Sequence, residues 1–168
     1  VQQPFLINLK KYFDQRGFFS EKYNSEIKNK LNINWTQENF SISKLNVIRG
    51  LHYQLNSPQA KLIHCIYGKI LDVIVDIRFK SPSFGKYFKY FLESDQMLFV
   101  PEGFAHGFLS LQENTIVEYK CSDIYKPNDS YTISWNDKYL NIDWTTTFPV
   151  LSQKDANGLT FEEAPKFI

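Results

Sequence analysis

The sequence has little of what marks a secreted, membrane-spanning or nucleic-acid-binding chain. Two cysteines in 168 residues, Cys65 and Cys121, are too few for a disulfide framework. Each lies in an apolar run and reads as a buried free thiol, which suits a reducing compartment and a cytoplasmic location. No apolar run approaches the roughly 18 residues that cross a bilayer, so no membrane association is expected. Residues 1–5 lack the basic-then-apolar layout of a signal peptide. The one methionine is Met97, so the natural N-terminus is read as trimmed or left out. An excess of one charge is missing as well. The formal charge of +1 argues against the basic footprint that nucleic acid requires.

Helix signals are scarce, and what fills the chain instead is aromatic and β-branched. Fifteen Phe and ten Tyr lift the aromatic share to 17%, which favours pleated surfaces and offers stacking walls for a flat ligand. Short β-type segments alternate with turn signals: 5–9, 35–43, 47–53, 62–67, 70–78, 87–92, 98–100, 107–111 and 115–121. Only 21–31 has helical spacing, through Tyr23, Ile27 and Leu31. Strand density falls from Trp144 onward, where the chain reads as loop. The pattern predicts an all-β sandwich or closed barrel, one domain over 1–168.

Period-two alternation assigns the faces. Lys61, Ile63 and Cys65 share one side, with Leu62, His64 and Ile66 opposite. Asp72, Ile74, Asp76 and Arg78 share another side, with Val73, Val75 and Ile77 behind them. Acids alternating through an apolar run describe either a half-exposed strand or a barrel interior with a polar site.

Arginine is rare, three residues against a background of lysine, so each suggests a need for a planar bidentate donor. Arg78 fits a structural pair with an aspartate. Arg16 and Arg49 each adjoin a glycine and fit phosphate binding or a structural pair. The three histidines are His52, His64 and His106. No His-x-His pair exists, and the spacing is poor for a metal site. His64 reads as an ordinary surface or partly packed residue. His52 and His106 follow glycine-containing turns in VIRGLHYQ (47–54) and VPEGFAHGF (100–108).

With DQRGFFSE (14–21), QENFSIS (37–43), QAKLIHCIYGKILDVIVDIR (59–78), SPSFG (81–85), EYKCSDIYKP (118–127), WNDKYLNIDW (135–144) and LSQKD (151–155), these stretches run almost end to end. In that order the chain resembles the dTDP-4-dehydrorhamnose 3,5-epimerase family, enzymes with a cupin-type jelly-roll barrel and few short helices. The resemblance implies His52 as the base that takes the proton α to a 4-keto group, oriented by Asp155. It implies Lys61 beside the keto oxygen and Tyr119 as the acid on the opposite face of the sugar. Substrate-holding positions match Arg16, Glu21, Gln37, Asn39, Arg49, His106 and Lys154. It implies no cofactor and no metal, a sugar-nucleotide substrate, and a homodimer whose N-terminal strand is exchanged between subunits. The segment from about 144 to 168 would close the site.

Two departures stand out. Ser130, beside Asp129, occupies a place where many members carry Glu, and Lys44-Leu45-Asn46 replaces a small-residue turn. Relatives that invert one carbon, or use another sugar or base, share the same core residues. A ketoisomerase, a non-catalytic sugar-nucleotide-binding cupin and a metal-dependent cupin oxygenase are the remaining readings. Retention of all four reacting side chains disfavours the binding protein, and the absent His-x-His disfavours the oxygenase.

Overall fold

A computed structural model of the protein describes residues 2–168, so Val1, the first residue of the stretch read for a signal peptide, lies outside it. Two five-stranded antiparallel sheets face one another as a cupin-type jelly roll. The first runs β1 (Phe5–Asn8), β9 (Gln96–Val100), β6 (Lys61–Tyr67), β11 (Thr115–Cys121) and β4 (Gln37–Ser43). The second runs β12 (Ser130–Thr132), β5 (Ile48–Gln54), β10 (Phe104–Ser110), β7 (Ile70–Asp76) and β8 (Tyr87–Leu92). A hairpin of β2 (Lys11–Asp14) and β3 (Gly17–Ser20) stands apart from both.

Alternation places the core. Ile63 and Cys65 of β6, Ile70 and Ile74 of β7, Phe104 and Phe108 of β10 and Val117 of β11 meet between the sheets. The opposite sides are covered too. Val73, Val75 and Ile77 pack outward beneath Leu140, Trp144, Phe161 and Ala164 of the C-terminal segment. That segment has only one short helix, α2 (Gln153–Ala156). It is nonetheless tied down, with Trp144 Nε1 donating to the Trp135 carbonyl at 2.7 Å. Behind the first sheet, Leu62, Met97 and Phe99 pack with Leu31.

With both faces covered, β7 is buried along its whole length, so its acids point inward rather than to water. The barrel-interior reading is the one that holds. Arg78 Nη2 bonds Asp76 Oδ2 at 2.6 Å, the structural pair expected of it.

Three expectations need correction. The helix α1 spans Ser25–Leu31 and not 21–31, because the Asn24 side chain accepts from the Ile27 N–H and caps it there. His64 is not a surface residue. It is buried, its Nε2 bonds the Ser94 carbonyl at 3.2 Å, and burial pushes its pKa down. Strands β2, β3 and β12 were not expected, being too short for a periodic signal.

One close approach sets the site. Gly50 of β5 has φ +131, and a Cβ there would lie 2.4 Å from the Cα of Gly107. The two glycines of RGLHYQ and FAHGF therefore abut, and the pairing of β5 with β10 shifts register between His106 and Phe108. On one side of that irregularity His106 stands directly opposite His52. In the departed turn before β5, Asn46 takes φ +63, a conformation that asparagine tolerates better than most residues.

Candidate functional site

The cavity opens between the sheets at the His52 end, in two joined lobes of about 350 and 240 Å³. His52, Lys61, Tyr119 and Lys154 wall both lobes. His52 comes from the second sheet, whereas Lys61 and Tyr119 come from the first, so the imidazole and the phenol enter from facing layers. Lys61 and Tyr119 are placed by parity. Lys61 pairs with Cys121 and Tyr119 with Ile63, which puts all of them on the inner face.

Asp155 backs the imidazole. His52 Nε2 and Asp155 Oδ1 are 2.5 Å apart, and Ser152 Oγ donates to the other carboxylate oxygen at 2.8 Å. Ser152 also caps α2 through the Asp155 N–H, so helix and carboxylate are held by one hydroxyl. Burial pushes the Asp155 carboxyl up, but hydrogen bonds from His52 and Ser152 outweigh it and hold the group below its usual range. For His52, burial dominates the bond to Asp155 and pushes the imidazole down. The resting pair is thus a carboxylate and a neutral imidazole, with Nε2–H donating and Nδ1 left as proton acceptor.

Lys61 is buried, and among the described residues its Nζ has only the His52 carbonyl within reach, at 3.5 Å. Burial pushes its pKa down, while Cys121 and then Asp72, whose own carboxyl burial pushes up, act in the opposite sense. Asp72 is fully buried and bonds His106 Nε2 at 2.8 Å. Tyr119 has its phenol pushed up by burial, so it is protonated through the neutral range.

The binding positions divide. Gln37, Asn39 and Lys154 line the outer lobe, Arg49 and His106 the inner one. Arg49 is braced by Ser43 Oγ at 3.0 Å and the Ile42 carbonyl at 3.3 Å. Lys154 reaches Ser130 Oγ at 3.1 Å and the Tyr125 hydroxyl at 3.4 Å, so the serine found in place of a common Glu bonds this lysine. Its neighbour Asp129 faces away and accepts from the Asn56 and Ser57 backbone N–H groups.

Arg16 and Glu21 do not join the others. Arg16 is 86% exposed on the β2–β3 turn, held by Asp14 two residues away, and Glu21 faces a separate groove beside α1. The hairpin points outward from its own barrel, which carries both beyond reach. Sequence reasoning also missed lining residues. Gln54, Gln59, Tyr125 and Cys121 join the outer lobe, and Ser41, Phe108 and Ser152 the inner one. Gln54 was within the quoted VIRGLHYQ stretch at the same parity as His52, a signal that was available. The contributions of Tyr125 and Ser152 depend on loop geometry and had none. Among the described residues, no three His, Cys, Asp or Glu side chains cluster as metal ligands.

Comparison with known proteins places this geometry. A family model described as dTDP-4-dehydrorhamnose 3,5-epimerase matches residues 1–163. A dTDP-4-dehydrorhamnose 3,5-epimerase of Shigella flexneri is 42% identical over 95% of this chain and 91% of its own length. The crystal structure of dTDP-6-deoxy-D-glucose-3,5-epimerase from Legionella pneumophila, in complex with dTDP-4-keto-L-rhamnose, aligns with a TM-score of 0.92 at 37% identity. That alignment covers 98% of this chain and 91% of the other. The Bacillus anthracis dTDP-4-dehydrorhamnose 3,5-epimerase, with TDP and pyrophosphate bound, aligns with a TM-score of 0.90 at 41% identity over 94% and 93%.

Proposed function

The chain belongs to the dTDP-4-dehydrorhamnose 3,5-epimerase family, isomerases of the epimerase class, and on that premise we propose how its own residues perform the reaction. It converts dTDP-4-dehydro-6-deoxy-D-glucose to dTDP-4-dehydro-L-rhamnose by inverting C3 and C5. One observation carries the assignment of roles: a neutral imidazole and a neutral phenol enter one cavity from facing sheets, with a lysine on the same wall as the phenol.

The keto group at C4 acidifies the hydrogens on C3 and C5. His52 Nδ1 takes such a proton, and the imidazolium that forms gains the full attraction of the Asp155 carboxylate. Charge moves to the C4 oxygen as the enolate forms. Lys61, with almost no competing partner, is the cation that stabilises it, an interaction of about 2.7–4 kcal/mol in comparable sites. Tyr119 then delivers a proton to the opposite face of the same carbon, so configuration inverts. The electron pair returns from the enolate to carbon, and no redox cofactor or metal is required. Arg49 and Lys154 hold the diphosphate, with Gln37, Asn39 and His106 as further contacts around sugar and base.

Incubating the protein with the 4-keto sugar nucleotide in D2O tests this directly. NMR is expected to show one deuteron at C3 and one at C5 of the product. A single deuteron would assign a mono-epimerase, and tight binding without exchange a sugar-nucleotide-binding protein.

We further propose a cytoplasmic homodimer in which hairpin β2–β3 carries Arg16 and Glu21 to the second subunit's cavity, while the N-terminal strand β1, expected to be exchanged, stays paired with β9 of its own barrel. Its support is the hairpin itself: Phe13, Phe18 and Phe19 are all exposed around Arg16, an apolar surface with nothing of its own barrel against it. The buried thiols, with Cys65 pushed up to about 12, suit a reducing compartment. Sedimentation is expected to give twice the chain mass, and Arg16→Ala to raise KM although Arg16 lies outside its own cavity. A fully active monomer would end this proposal.

A further inference from the structure

Four polar residues share the inward face of β4 at alternate positions: Gln37, Asn39, Ser41 and Ser43, opposite Cys121, Tyr119, Val117 and Thr115 of β11. Three of them have partners. Gln37 Nε2 donates to Asn39 Oδ1 at 2.8 Å, Asn39 Nδ2 approaches Cys121 Sγ at 3.9 Å, and Ser43 Oγ accepts from Arg49 Nε. Ser41 Oγ is withdrawn from solvent and bonds to nothing. A buried hydroxyl without a partner costs about 1–3 kcal/mol, and its persistence calls for a reason. Its location supplies one, because Ser41 walls the inner lobe together with Arg49, His52, His106 and Tyr119.

We propose that Ser41 is a substrate contact that holds the C2 hydroxyl of the hexose through the whole reaction, an inference that rests on the epimerase reading above. The substrate leaves few choices. C4 is a carbonyl, C6 a methyl, and C1 bears the diphosphate, so only C2 and C3 carry free hydroxyls. Inversion moves the C3 hydroxyl to the other side of the ring, whereas C2 keeps its configuration. A residue fixed on a strand can serve substrate, enolate and product alike only at the hydroxyl that stays. Ser41 is also placed for it. Asn39 is directly opposite Tyr119, and Ser41 is two residues along the same face, a diagonal neighbour of the acid that serves C3. C2 is one ring bond from that carbon. A serine hydroxyl both donates and accepts, and one side-chain bond alone sets its direction.

The test is Ser41→Ala against two substrates, the 4-keto-6-deoxyhexose nucleotide and its 2-deoxy analogue. With the hydroxylated substrate, kcat/KM is expected to fall about tenfold, the size of one lost hydrogen bond. With the 2-deoxy analogue, variant and wild type are expected to agree within about twofold, since neither has the bond to lose. The melting temperature of the free variant stays level or rises, because the mutation removes an unpartnered hydroxyl. Equal losses on both substrates, or none on either, overturn the role of Ser41 while leaving the epimerase reading intact. A wild type that turns over neither substrate overturns that reading, and this inference with it.

Discussion

His52→Ala is expected to abolish deuterium incorporation at both C3 and C5 and to reduce turnover by about 10²–10⁴-fold, the range of a positioned general base. The expectation of losing both carbons together follows from the cavity. His52 is the sole imidazole backed by Asp155, and the other cavity histidine, His106, is tied by its own Nε2 to buried Asp72. Among the described residues, no third imidazole lines the inner lobe. The fold should survive, because His52 is 34% exposed at its side chain and its outer-face neighbours Leu51 and Tyr53 carry the packing of β5. Asp155 does lose one partner and keeps Ser152, which costs about 1–3 kcal/mol. Retention of exchange at one carbon alone would assign that carbon to a different base.

The same residue sets the acid limb of the pH profile. Burial outweighs the carboxylate and holds the imidazole below 6.5, its ordinary value. A base works only when neutral, so kcat/KM is expected to be flat at pH 7 and to fall as pH drops through a midpoint below 6.5. The sign is specific. Were Asp155 the stronger influence, the imidazolium would be favoured and the limb would appear above 6.5. Because kcat/KM reports the free enzyme, the profile reads this balance directly.

Much of this was legible before any coordinates, and the parts that were not share a cause. Strand parity alone put Lys61 and His64 on opposite faces, and the pairing of β6 with β11 agrees. Parity says which side a residue takes, but not whether that side is covered. His64 was read as surface or partly packed for that reason, and so was the acid run of β7 left between two readings. Covering depends on α1 and on the C-terminal segment, whose docking is a long-range matter. The carboxylate behind His52 shows the same division. Its identity came only through family resemblance, since Asp155 lies 103 residues away on a four-residue helix with no periodic signal. Arg16 and Glu21 mark the other boundary: a match to a family motif identifies a residue, not the barrel it serves.

Tyr119→Phe separates the two halves of the reaction, and its expected result is exchange without inversion. Removing one hydroxyl leaves the ring packed against Val117 and its neighbours between the sheets, so the variant folds and binds. His52, Asp155 and Lys61 are untouched, so a proton still leaves the carbon α to the ketone and an enolate still forms. With no donor on the far face, the only proton available returns from the side it left. Solvent deuterium then enters C3 and C5 through the imidazolium with configuration retained, and product formation drops by about 10²-fold or more. Burial raises the phenol pKa above 10, which requires the wild-type hydroxyl to be a proton donor throughout the neutral range and places no alkaline limb from Tyr119 near pH 8. Following deuteration by NMR and product by chromatography on one sample distinguishes the steps. Full epimerisation by the variant would mean that water or another group protonates the far face, and that the phenol facing His52 across the cavity is packing alone.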